Sequence, residues 1–374
     1  MEFEISSKDL KESLGKIVSV SDKKQQFSNP FECLFAVKSD ELEMLSTDNE
    51  IFSKVRIKIN KTNGSDFSFL INSKNLFDIV KELSEEKIFF NLNNDENTLT
   101  LSTENSFYKL LTYQNENFNF CHIPKEVNFL SISKSKFLQM LNLTSYAVSN
   151  DETRIYLNGL YLQEVNGNIR IVATDGHRLS MLESNYNGDE NQFLANGVIL
   201  PKKGIQELKR ISEVKNNEDD LKLFFDDTFI YVQNGKEYEL TIRQISRDYP
   251  KYQAVIPQST KNTLIAVKSP LFEAVKRIKV MSNEKSNQVR FKLDSNKIEL
   301  SANHPSLGKA KEVVPVHYNG DPLEIGFNAK YLIDALGALE SDEISFELNN
   351  ELSPVVLKSP DKPDYLGIIM PLKL

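Results

Sequence analysis

Apolar residues recur at helical spacing in three separated stretches. Lys8 to Val20 carries Leu10, Leu14, Ile17 and Val18; Lys134 to Val148 carries Phe137, Leu138, Leu141 and Tyr146; Lys268 to Met281 carries Leu271, Val275, Ile278 and Met281. Positions three, four and seven apart fall on one helical face, so each stretch predicts an amphipathic helix with Ser or Asp near its start. A second set of helices is predicted at Ser73 to Lys81, Lys203 to Arg210 and Lys330 to Leu336. Between the sets the period shortens to two. Leu42 to Asp48, Asn168 to Asp175 and Lys297 to Asn303 each read as a strand closing in an Asx-type turn, and their last residues lie 127 and 128 positions apart.

Three element classes thus recur in one order, which predicts three copies of a single α+β unit: helix, strands, helix, strands. Prolines at His122-Ile123-Pro124 and Ile256-Pro257 mark the junctions, because proline ends elements and stiffens linkers. The expected domains are 1–123, 124–257 and 258–374.

Composition narrows the function. A chain of 374 residues with 26% charged and 40% apolar residues can bury three cores without metals or disulfides. No apolar run is long enough for a transmembrane helix, and the acidic, alternating start Met1-Glu2-Phe3-Glu4-Ile5 is unlike a signal peptide, so a cytoplasmic location is expected. Cys33 and Cys121 cannot build a disulfide framework, and Cys121-His122 cannot complete a zinc site, so no metal is expected. The net charge of −8 opposes a uniformly basic nucleic-acid binder. The lysines and arginines nevertheless concentrate on the helices: Lys8, Lys11, Lys16, Lys74, Lys81, Lys134, Lys136, Lys202, Lys203, Lys209, Arg210, Lys268, Lys276, Arg277, Lys279 and Lys330. One such helix reads as a solvated face; repeated in all three copies they suggest a segregated basic surface for phosphates.

Catalytic signatures are missing. The chain holds no GK[ST] phosphate loop, no GxGxxG, no HExxH and no GxSxG, so neither an enzyme nor a cofactor is expected. Asp219-Asp220 and Asp226-Asp227 flank an alternating run and read as a hairpin. Asp175-Gly176-His177-Arg178 offers two readings, a tight Asp-Gly turn or a general base His177 oriented by Asp175. A third places His177 and Arg178 on the rim of a binding surface. The C-terminus, Gly367 to Leu374, is apolar to the end, and Pro371 stops a central strand, so Met370-Pro371-Leu372 can wall an exposed apolar groove.

Several motifs together carry a family resemblance. They are Tyr156-Leu157-Asn158-Gly159 followed by Ala173-Thr174-Asp175-Gly176-His177-Arg178-Leu179, then Tyr249-Pro250-Lys251-Tyr252, Glu324 to Asn328 with Tyr331, and Ile369 to Leu374. In these the chain resembles the bacterial DNA polymerase III beta subunits, the beta sliding clamps. The resemblance implies a head-to-tail homodimer closed into a ring of six domains, with helices inside and sheets outside. It implies a non-catalytic processivity factor that encircles duplex DNA without reading sequence and tethers the replicative polymerase, clamp loader and repair proteins through short linear peptides. The implied peptide groove is formed by Arg154, Leu157, Thr174, Gly176, His177, Arg178, Leu179, Pro250, Val255, Asn328, Tyr331, Leu352, Pro354, Ile368, Ile369, Met370, Pro371 and Leu372. The implied DNA-facing residues are Lys23, Lys24, Tyr156, Lys202, Lys203 and Lys209, and the implied dimer interface includes Lys74, Phe107, Val280 and Met281. Ala254 and Ser286 depart from residue types common in the family, which implies an altered peptide preference. Two rival readings remain distinct: an enzyme using His177, and a repeat-built scaffold that never touches DNA.

Overall fold

The computed structural model describes residues 1–21, 32–63, 66–114, 118–124, 129–188, 194, 196–214 and 218–374. The six α-helices among the described residues are α1 (Ser7–Val18), α2 (Ser73–Val80), α3 (Lys134–Thr144), α4 (Lys202–Glu213), α5 (Lys268–Lys279) and α6 (Ala329–Ala338). The order of strands and α-helices repeats three times: strand and helix, three strands, one short strand, strand and helix, three strands; among the described residues the second repeat alone adds 3-10 turns. The helices form where the spacing places them, except that α3 ends at Thr144 and Ser145–Ala147, with Tyr146, turns as a separate 3-10 segment. Leu10, Leu14 and Ile17 line the buried side of α1, and Leu271, Val275 and Ile278 that of α5. Burying each such side chain stabilises the fold by about 1.5–3 kcal/mol. Ser6, Asn72 and Asn328 cap α1, α2 and α6 by accepting backbone amides. The polar start expected for α5 gives no side-chain cap; Val267 stands there, and Pro270 sits in the first turn, where its missing N–H costs nothing.

The strands collect into two compact units, and these do not coincide with the three repeats. One unit comprises Met1–Ser135, Asn187–Asp189 and Gln206–Gln244 and holds an antiparallel sheet of fourteen strands. The other comprises Lys136–Tyr186, Glu190–Ile205 and Ile245–Leu374 and holds sheets of nine and four strands. The middle repeat lends strands to both. Its last strand, Tyr238–Arg243, lies antiparallel to Ile51–Lys58 of the first repeat, with Tyr238 opposite Val55 and Ile242 opposite Ile51. Its Arg178–Asn185 strand lies antiparallel to the last strand of the third repeat, Lys362–Ile369, with Leu179 opposite Ile368.

Both seams therefore follow one rule: the last strand of a repeat joins the fourth strand of the repeat before it. Two strands of these classes stay open. Gly308–Pro315 pairs only with Lys297–His304 among the described residues. Phe107–Tyr113, the last strand of the first repeat, pairs with Thr98–Ser102 and meets Phe67–Asn72 only through Leu70 and Ile71. The open strands and their surroundings expose apolar side chains: Phe107 at 68%, Leu111 at 66%, Val313 at 54% and Val280 at 71%.

Candidate functional site

The most organised polar cluster grows from the hairpin between Asn168–Thr174 and Arg178–Asn185. Gly176 has φ +90°, which a side chain rarely tolerates, and an added Cβ would lie 2.9 Å from Arg154 Nη1. The Asp175 carboxylate accepts the His177 and Arg178 amides at 2.9 and 3.1 Å, and its second oxygen accepts Arg178 Nε at 3.1 Å. The Thr174 hydroxyl donates to the Arg178 carbonyl at 2.6 Å and accepts the Gly176 amide at 3.1 Å. This is the Asp-Gly turn, and it overturns the general-base reading. Asp175 is committed to Arg178 and to two amides, while the His177 ring lies parallel to Tyr331, centroids 6.2 Å apart.

Arg178 is a buried cation and not a rim residue. Its Nη1 donates to Asp334 at 2.6 Å, so two carboxylates flank it, and its guanidinium stands 4.6 Å from the Tyr331 ring centre and 5.4 Å from that of Tyr146. Paired, stacked and hydrogen-bonded, a guanidinium can stay charged out of water, which fixes the hairpin against α6. Behind it the Tyr146 and Tyr365 hydroxyls are 2.9 Å apart, and burial raises the pKa of both phenols.

An apolar floor adjoins this cluster. Val172, Leu179, Tyr252 and Ile368 are buried together, with Tyr161, Met181, Tyr249, Ile256 and Leu366 packed against them. Tyr161 and Tyr249 stack with centroids 4.7 Å apart, and Arg170 donates to the Tyr252 hydroxyl at 2.9 Å. The C-terminal strand supplies the facing wall. Ile369 pairs with Arg178, the Met370 amide donates to the His177 carbonyl at 2.8 Å, and the strand then stops at Pro371. Leu372 returns to the Gly326 carbonyl at 2.8 Å, an approach glycine permits, since a Cβ there would lie 2.7 Å from the Leu372 carbonyl oxygen.

The residues singled out in the sequence sort into floor, rim and outliers. Leu157, Arg178, Leu179, Ile368 and Ile369 are buried; Thr174, Tyr331, Met370, Pro371 and Leu372 are half-buried. Gly176, His177, Pro250, Val255 and Leu352 are exposed. Arg154 is held by Asp151, Nε to Oδ2 2.8 Å, and Asn328 is spent on capping α6. Leu352 and Pro354 sit in the turn before Val355–Ser359, whose Val355 pairs with Ile369. Sequence reasoning missed Tyr146, Tyr161, Met181 and Asp334 as parts of this cluster; the alternation of Tyr161 and Met181 with buried neighbours was the available signal.

Other expected residues fare unevenly. Lys23 and Lys24 lie outside the described residues. Lys202 and Lys203 are exposed, and Lys202 donates to the Asn150 side chain. Lys209 and Tyr156 are half-buried, and burial lowers the Lys209 pKa, so that lysine is turned partly into the protein. Lys74 and Lys81 both bind Asp78, at 3.0 and 2.8 Å, so Lys74 is matched within its own helix. Val280 is exposed, whereas Met281 is half-buried. Together the six helices carry 15 Lys and Arg against 7 Asp and Glu, leaving 30 against 46 for the rest of the chain. No helix of the described residues is long and apolar enough to cross a membrane.

Comparison with known proteins agrees with this architecture. Residues 1–123, 131–251 and 253–373 match the N-terminal, central and C-terminal domains of the DNA polymerase III beta subunit. The beta sliding clamp of Pseudomonas aeruginosa is 29% identical over 378 residues, covering all of both chains, and that of Rickettsia bellii is 29% identical with 99% of each covered. Among solved structures, the P. aeruginosa clamp bound to griselimycin superimposes with a TM-score of 0.92 at 29% identity, covering all of both chains. The Caulobacter crescentus clamp does so at 0.91 and 27%, covering 100% of this chain and 99% of that one; it carries polyethylene glycol in what is assigned as its beta-motif tethering region. Three clamp domains of α+β class, without catalytic machinery, define a processivity factor. The chain belongs to the DNA polymerase III beta subunit family and is a DNA sliding clamp that confers processivity on that polymerase.

Proposed function

We propose that two copies of the chain close head to tail into a ring of six domains around duplex DNA. The observation that carries this is the pair of open strands. Two seams already join the last strand of one repeat to the fourth strand of the repeat before it. The third seam of the series would join Phe107–Tyr113 to Gly308–Pro315 of a second copy, antiparallel as in the others, and would cover Phe107, Leu111, Val313 and Val280. Two heterologous contacts then close the assembly and leave neither of these strands open. The domains divide at 1–123, 124–257 and 258–374, a division supported by the restart of the element order at Leu130 and Asn262.

The helices, net positive in a net acidic chain, are the DNA-facing surface; Lys23, Lys24, Tyr156, Lys202, Lys203 and Lys209 contribute to it. Phosphate contacts hold a duplex without reading bases, as sliding requires. The floor of Leu179, Ile368 and Tyr252, with buried Arg178 behind it and His177 and Tyr331 at the rim, is the groove for short peptides of polymerase, clamp loader and repair proteins. Tethering raises the polymerase's local concentration at the primer end. Ala254 and Ser286 alter the peptide preference at its edges. The work is done where the chromosome is copied, in the cytoplasm. Negative-stain images of the purified chain test closure: six-lobed rings are expected, and three-lobed arcs overturn it. Fluorescence polarisation with a Leu/Phe-containing peptide tests the groove. Met370→Ala with Leu179→Ala abolishes binding and leaves the ring mass unchanged; unaltered affinity moves the site elsewhere.

A further inference from the structure

The first repeat contains a counterpart of that groove with different chemistry. Counted from the seam, its strands run Ile51–Lys58, Glu41–Thr47, Glu32–Lys38, Phe67–Asn72, as the second repeat runs Arg178–Asn185, Asn168–Thr174, Gly159–Val165, Val198–Pro201. Leu34 faces Leu45 across its pair just as Tyr161 faces Val172. The segment that leaves each repeat folds back onto this face: Phe118 and Phe120 pack on Leu34, Leu45 and Leu70, as Tyr249 and Tyr252 do on the second repeat's cluster. In the first repeat an open cavity of about 610 Å³ remains between them, walled by Leu34, Leu45, Phe67, Phe118 and Phe120.

The floor diverges at the seam. Where Met181 faces Leu366 in the second repeat, Lys54 faces Glu239 in the first. Lys54 lies 3.1 Å from Glu43 and 4.0 Å from Glu239, and Arg56 lies 2.8 and 2.7 Å from the same two carboxylates. These four charges satisfy one another. Lys38, on the cavity rim and 66% exposed, reaches Glu43 only at 3.7 Å, and that carboxylate is already shared. Asp66 on the same rim accepts the Ser39 amide at 3.0 Å. His122 stays neutral near pH 7, since burial and the Lys54 charge lower its pKa.

We propose that this first-repeat cavity is a second docking site, for an extended peptide that seats a Leu or Phe side chain between Phe118, Phe120 and Leu45 and sets a carboxylate against Lys38. The apolar half takes the anchor, and the ionic half bars the long apolar segment that the second-repeat floor accepts. Two sites of unlike preference on one chain let a partner hold one while another holds the second. The inference rests on the groove reading above only for the kind of ligand; cavity, walls and charges are independent of it.

Methyl-labelled leucine NMR of the full chain, titrated with acetyl-Leu-Phe-Asp-amide to about 10 mM, is the test, since one short anchor supports millimolar affinity at best. Saturable shifts are expected at Leu34, Leu45 and Leu70. They persist with Leu179→Ala and Met370→Ala, weaken about fivefold with the exposed-site change Lys38→Glu, and vanish with Phe120→Ala. Shifts confined to Leu157 and Leu179 overturn this inference and leave the second-repeat groove standing. No shift at either place overturns both. Shifts at Leu34 unaffected by Lys38→Glu and by Phe120→Ala also overturn it.

Discussion

Replacing Phe107 by Ala tests ring closure and counts the seams. The ring is 68% exposed on an otherwise ordered strand, and a phenyl side chain offers about 200 Å² of apolar surface. Covering the exposed part at about 25 cal/mol per Å² contributes about 3 kcal/mol once the alanine methyl is allowed for. One seam weakened by that amount raises a dissociation constant roughly 100-fold. A closed pair of chains contains two such seams and both must part, so the expected loss is about 6 kcal/mol, roughly 10⁴-fold. Sedimentation velocity across a dilution series reads the dimer-to-monomer midpoint, and circular dichroism confirms that the monomer keeps its fold. A shift near 100-fold would mean one seam and an open dimer. An unchanged midpoint would refute the placing of this strand at the contact altogether.

Two further outcomes follow from the site. Gly176→Ala forces a methyl into φ +90° and against Arg154, costing about 1–2 kcal/mol of backbone strain, so calorimetry should find Tm lowered by about 2 °C; an unchanged Tm would mean the turn relaxes freely. Asp151 accepts hydrogen bonds from Thr153 and Arg154, which lower its pKa from 3.8 to about 2. A depressed carboxyl contributes order above pH 3.8 and loses it as the pH falls through 2, so its carboxyl carbon should titrate near pH 2, and a midpoint near 3.8 would dissolve the assigned bonds.

The elements were legible because their causes are local. Leu10, Leu14 and Ile17 declare a helix by spacing alone, and Asp175-Gly176 declares a turn because glycine permits the positive φ that the hairpin needs. The interval between repeats made the threefold order visible before any contact was known. What pairs with what was not legible. Tyr238 and Val55, or Leu179 and Ile368, meet across stretches with no pattern linking them, and nothing periodic says which edge strand seeks which. Arg178 shows the same limit: a basic residue beside a turn reads as rim, and its burial depends on Asp334, 156 positions away, as well as on the neighbouring Asp175. Arg154, Leu157, Val255 and Leu352 came from the resemblance and not from their own chemistry; Leu352 stands exposed, its amide donating to the Asn350 side chain.

The middle repeat shares a sheet with each neighbour, and this separates the history of the chain from its mechanics. Duplication explains why the element order restarts twice; cooperativity follows the hydrogen-bonded ladders, which cross both restart points. A fragment cut at 131–251 would be a complete copy by descent yet would bare Tyr238–Arg243 on one side and Arg178–Asn185 on the other, two long edges that invite aggregation. The compact units are not the parts that were copied. A substitution in the middle third is therefore felt by whichever neighbour its strand has joined, and its effect on opening either seam depends on which half of that third it falls in.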